Sequence, residues 1–119
     1  MTTYSIGVDL GQRRDHSAIA VVEHVRHAAR IAPYSLYAPA PSPDEWIVRH
    51  LERLPLGTPY TVVVARIVEL TRNPKLARGC RLIVDATGVG MPVVDMLRAA
   101  QPGLPTRSRL DHRRPIRAF

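Results

Sequence analysis

Leu82-Ile83-Val84-Asp85-Ala86-Thr87-Gly88-Val89-Gly90 is the stretch on which the fold turns. A short β-branched run ends in an aspartate and passes at once into a glycine-bearing turn, the pattern of a buried strand leaving a core. Ile6-Gly7-Val8-Asp9-Leu10-Gly11 repeats that pattern near the N-terminus. Neighbouring strands lie about 4.7–4.9 Å apart, so two aspartates ending parallel neighbours can reach one divalent ion. The doubled motif therefore points to a metal-dependent phosphate-ester site with Asp9 and Asp85 as its carboxylates. Asp15, in the turn after the first run, reads chiefly as turn chemistry and also as a candidate metal ligand.

Working outward, residues 3–9 are expected to form the first strand. Gly11-Gln12-Arg13-Arg14-Asp15 is the turn of a hairpin whose second strand is Ser17 to Glu23, with Glu23 facing outward. Four prolines between Ala28 and Asp44 mark a loop, although Tyr34-Ser35-Leu36-Tyr37 can extend a sheet edge. Trp46 to Leu54 alternates as a third strand and closes at Pro55-Leu56-Gly57. Thr58-Pro59 opens a helix predicted to run to Arg72, with the Thr58 hydroxyl as cap and proline in the first turn. Val63, Ile67 and Leu70 make its buried stripe, and Arg66, Glu69 and Arg72 its surface. Asn73-Pro74 ends it. Arg81 to Asp85 is the fourth strand, and Gly88-Val89-Gly90 leads into a second helix carrying Val93, Val94, Met96 and Leu97, which stops at Pro102-Gly103.

The predicted order is β-β-β-α-β-α, a mixed α/β sheet. A right-handed crossover places the fourth strand parallel to the first, and ligands collect at the carboxyl ends of such strands. Residues 1–104 are expected to form one domain, and residues 105–119 a basic tail without fixed structure.

Composition narrows the function classes. At 119 residues there is room for one domain with a real core. The single cysteine, Cys80, excludes an intramolecular disulfide and a CxxC metal clip, and the five histidines lack HxxxH or HExxH spacing. No leader-like segment precedes the first strand and no apolar run is long enough to cross a membrane, so a soluble, cytoplasmic protein is expected. The net charge of +7 is one-sided: residues 61–119 hold eleven basic against four acidic side chains, whereas residues 1–60 balance at six each. Arg107, Arg109, Arg113 and Arg114 crowd the tail, where they can neutralise nucleic-acid phosphates. A solvated terminus is the plainer alternative.

Gly7-Val8-Asp9-Leu10-Gly11, followed by Asp15 and Ala18-Ile19, and Val84-Asp85-Ala86-Thr87-Gly88-Val89-Gly90, followed by Val94-Asp95-Met96-Leu97, together resemble the ribonuclease H-like nuclease domain of phage terminase large subunits, over about residues 4–100. The resemblance implies a ribonuclease H-like mixed sheet and an endonuclease that cuts concatemeric viral DNA during packaging by a two-metal mechanism. It implies Mg2+ or Mn2+ as cofactor, Asp9 as the first-strand acid bridging the metals and Asp85 as the fourth-strand acid. Double-stranded DNA is the implied substrate, terminase or capsid portal components are implied partners, and the cytoplasm of a bacterial host carrying the phage or prophage is the implied setting.

Two departures shape the expectation. No GxxxxGK[ST] loop is present, so the chain is not the packaging motor. The family's third carboxylate follows the fourth-strand acid by many tens of residues, beyond the last residue here. The sequence is therefore expected to be a fragment, incomplete at the C-terminus and weak or inactive alone. Two other classes remain open: a non-catalytic basic domain that binds DNA or a capsid partner, and half of an actin-like or sugar-kinase-type phosphate-binding fold.

Overall fold

The computed structural model describes residues 1–11, 14–27, 43–85, 87, 91–101 and 103–108. Its elements are β1 (Thr2–Asp9), β2 (Ala18–Val25), β3 (Glu45–Arg53), α1 (Tyr60–Thr71), α2 (Pro74–Ala77), β4 (Cys80–Asp85), α3 (Met91–Ala100) and β5 (Thr106–Ser108). They build one mixed sheet in the order β3-β2-β1-β4-β5. β1 is antiparallel to β2, and β2 to β3, whereas β4 is parallel to both β1 and β5. This is the mixed α/β architecture that the sequence implies, with β4 beside β1.

Alternation along the strands sends Ile6 and Val8, Ile19 and Val21, and Leu82 and Val84 to one face, all at most 5% exposed. Val63 and Ile67 of α1 and Val93, Val94 and Leu97 of α3 close over them in a single core. The predicted stripe of α1 holds at Val63 and Ile67. Leu70 is half-buried against the core, and Val64 is buried beside them. Arg66 is more than a surface residue: its guanidinium grips both oxygens of Glu52 on β3, at 2.7 and 3.1 Å, and ties the helix to the edge of the sheet.

The start of α1 differs from expectation. Pro59 is the capping residue, its carbonyl receiving the amides of Val62 and Val63, while the Thr58 hydroxyl turns back to the Pro55 carbonyl. Gly57 sits at φ 79°, the left-handed conformation that lets residues 55–58 reverse direction.

Asn73-Pro74 ends α1 as predicted, and the same pair starts the unpredicted short helix α2. Pro74 occupies its first turn and the Asn73 side chain accepts the Lys75 amide. Glu23 is a further correction. It points inward and is 8% exposed, because Tyr4 and Arg49 supply partners for its carboxylate. The tail boundary also moves, since Thr106–Ser108 lies within the stretch expected to lack structure yet adds β5 to the sheet, with the Pro105 carbonyl taking the Leu82 amide. The predicted edge segment Tyr34 to Tyr37, the Gly88-Val89-Gly90 turn and residues 109–119 lie outside the described residues. No helix among the described residues is long and apolar enough to cross a membrane.

Candidate functional site

The parallel register of β1 and β4 pairs Ile6 with Leu82, Val8 with Val84 and Asp9 with Asp85. The two aspartates are thus direct neighbours at the carboxyl ends of adjacent strands. The Leu10 amide bonds the Asp85 carbonyl at 3.1 Å, which carries the ladder one step past the pair and holds both backbones at the rim. Because Ile6 and Val8 face the helices, Gly7 and Asp9 face the opposite side, as do Ile83 and Asp85. On that side Gly7, Ala18, Ala20, Leu51 and Ile83 floor a shallow depression of about 300 Å³, with Asp9 and Asp85 at its end.

The two carboxylates have different surroundings. Asp9 is exposed. Asp85 is half-buried, and its Oδ1 accepts the Thr87 amide at 3.1 Å and the Thr87 hydroxyl at 2.6 Å. These bonds fix the direction in which the carboxylate points. Two carboxylates on paired residues suit a hard cation that keeps much of its water, as Mg2+ and Mn2+ do. Among the described residues no cluster of three His, Cys, Asp or Glu side chains forms a larger ligand set.

Asp15 is placed in a separate cleft, with Gly11, Ser17 and the Pro55–Tyr60 turn. The chain doubles back so tightly here that a Cβ on Gly11 would meet the Asp15 carbonyl oxygen at 2.2 Å, so this position in the Asp9-Leu10-Gly11 motif requires glycine. The Gly11 amide donates to Ser17 Oγ at 3.1 Å, and the Gly11 carbonyl accepts the Tyr60 hydroxyl at 3.0 Å. His16 bonds to the Leu54 carbonyl through Nδ1 at 2.8 Å. A carbonyl only accepts, so Nδ1 carries the proton. The Ser17 carbonyl in turn accepts the Leu54 amide. Ser17, Leu54 and Tyr60 thus brace the turn that follows Asp9, and sequence reasoning had not marked them for this. The one local signal was the glycine two residues after the aspartate.

At the far end of β1 a second charged group is fully matched. Glu23 accepts the Tyr4 hydroxyl at 3.2 Å and Arg49 Nε at 2.5 Å, and the Arg49 bond holds its carboxyl below the usual range. The backbone of Arg107 on β5 pairs with Ile83 of β4, while Arg109, Arg113 and Arg114 lie outside the described residues.

No protein-family model and no curated protein matches the chain. Among solved structures it is similar to the large terminase nuclease from the thermophilic phage G20c, with 22% sequence identity and a TM-score of 0.54 over 93% of this chain. The chain spans 46% of that protein's length. The likeness is one of fold.

Proposed function

We propose that this chain carries the first two acids of a divalent-metal-dependent DNA-cleaving centre of the terminase-nuclease type, and that alone it is a two-carboxylate half-site with little or no activity. The observation that carries this reading is the direct pairing of Asp9 with Asp85 at the carboxyl ends of two parallel strands. Exposed Asp9 and the Thr87-oriented Asp85 would hold Mg2+ or Mn2+ through oxygen. Such an ion, when bound, supplies Lewis acidity and lowers the pKa of a coordinated water. The chain's own contribution is to hold two acids side by side at the rim of the sheet.

Double-stranded viral DNA is the substrate class, met in the cytoplasm of a bacterial host alongside terminase or portal components. Arg107, Arg109, Arg113 and Arg114 would meet its phosphates. Contacts of that kind weaken steeply with salt and carry no sequence preference.

Calorimetric titration with Mn2+ tests the site directly. Binding in the millimolar range is expected, and Asp9→Ala or Asp85→Ala should abolish it. Plasmid incubated with the protein and Mn2+ should stay supercoiled or be nicked only in trace. Strong cutting that disappears in Asp85→Ala would overturn the half-site reading, and absence of Mn2+ binding would overturn the metal reading. Salt-sensitive DNA retention without any metal binding would favour the non-catalytic basic domain instead.

A further inference from the structure

The helices cover one face of the sheet, and among the described residues no element covers the other. Over β3 that open face carries large apolar side chains. β3 has an irregular register between the pairs Val21–His50 and Val22–Val48, which leaves Arg49 as the extra residue of a bulge. The shift puts Trp46, Val48 and Leu51 on the open side, where they are 45, 61 and 72% exposed. They form an apolar ridge, and Trp46 is held rigid by stacking on His24 at a centroid separation of 3.7 Å. Beside the ridge runs the depression floored by Gly7, Ala18 and Ala20, whose small side chains leave the β1–β2 surface low. A contiguous row of exposed large apolar side chains is the kind of surface that binds a partner.

A ridge next to a hollow on one surface is self-complementary. Consider a two-fold axis lying between two such faces and parallel to the strands. It turns the order of strands about, bringing β3 of each copy over β1 and β2 of the other, and it keeps the strand direction, so like ends meet and Leu51, level with Ala20 and Gly7 in the register, lies over the other copy's hollow. At the carboxyl end of β1 the register runs Asp9–Ala18–Arg53 across three strands. The same operation therefore brings the exposed Arg53 of each copy over the exposed Asp9 of the other. Shape and charge both match under one operator, which is the requirement for a closed, isologous pair.

We propose that the open sheet face is a homodimer surface, in which Leu51 of each copy seats in the Gly7-Ala18-Ala20 hollow of the other, Val48 and Trp46 lie further along at the level of Ser5 and Thr3, and Arg53 pairs with Asp9 across the two-fold axis. This surface stands whether or not the aspartates bind metal, and its test is run in EDTA so that the two proposals fail separately. A cation and the partner's arginine would compete for Asp9, so the dimer is the state in which the rim is covered.

Sedimentation velocity on the full chain across a dilution series, with circular dichroism on every variant, decides the matter. The expected mass is twice the 13.3 kDa of one chain at the upper concentrations. Leu51→Asp, and Val48→Asp as a second probe should the first disturb folding, should leave folded monomer. Arg53→Asp should weaken association by about tenfold through a like-charge contact with Asp9, and adding Asp9→Arg should restore it. A wild-type chain that stays monomeric at about 100 µM, a concentration at which even weak specific dimers form, refutes the proposal. So does a dimer that survives both β3 variants, or a charge-reversed double variant no tighter than Arg53→Asp alone.

Discussion

The two ends of β1 treat acidic side chains in opposite ways. At its start, opposite Tyr4, Glu23 is buried and receives both a phenol and a guanidinium. At its end, Asp9 and Asp85 lie side by side on paired residues, and among the described residues no cation neutralises Asp9. Like charges directly opposite in a sheet are destabilising, by an amount comparable to the 0.2–1 kcal/mol that favourable cross-strand pairs contribute. A fold that meets one buried acid with a phenol and a guanidinium, and sets two acids side by side at its rim, separates structural charge from charge held at the surface. The contrast sets Glu23, which serves stability, apart from the two aspartates proposed as metal ligands.

Three substitutions can break or sharpen that contrast. The largest effect is expected at Leu82, which is fully buried in β4 beneath both ends. Leu82→Ala should lower the unfolding free energy by about 2–5 kcal/mol in urea titrations, the usual cost of emptying a core site. Loss of that size gives the scale for the other two.

Glu23→Gln comes next. It leaves Arg49 without its counter-ion and should lower the urea midpoint clearly, whereas the isosteric change at the rim should not. The pH dependence follows from the direction of the shift. Arg49 holds the folded-state pKa of Glu23 below its usual 4.5. The pair therefore stabilises the fold fully above that value, and the contribution is lost as pH falls through the depressed folded-state pKa. Glu52, held low by Arg66, behaves alike. Acid titration of Glu23→Gln should show a shallower decline below pH 4.5 than the parent. A variant that declines just as steeply would remove Glu23 from the structural side of the contrast.

The smallest effect is expected for Asp9→Asn, which relieves the repulsion with Asp85. Stability should rise by a few tenths of a kcal/mol, measured as a urea midpoint at low ionic strength, and the gain should shrink as salt screens the charges. A loss in place of that gain would mean that Asp9 serves the fold.

Much of this was legible in the sequence, for reasons tied to particular residues. Runs such as Leu82-Ile83-Val84 and the stripe of Val63 and Ile67 carry their periodicity in four to twelve residues, so β1 to β4, α1 and α3 could be placed by pattern. The convergence of Asp9 with Asp85 needed one step more, the handedness of the crossover. What escaped depended on distant partners or on too few residues. Glu23 turns inward because of Arg49, which lies 26 positions away. In β3 the bulge at Arg49 breaks strict alternation, so neither simple two-residue pattern described the open face. β5 is three residues long and polar, with no apolar signal to announce it. The bracing of the first turn by Tyr60 joins residues 49 apart, and only its glycine left a mark.

The pairing of β1 with β4 also meters the distance between the two aspartates. Every second side chain in those strands is anchored beneath the helices, so sliding one strand by a single position would thrust its apolar set into water and swing its acid into the core. An inserted or deleted residue within Cys80–Asp85 is thus never a small adjustment of the rim. The interior acts as the gauge by which the two acids are spaced, and any natural or engineered change in that spacing must come by steps of two.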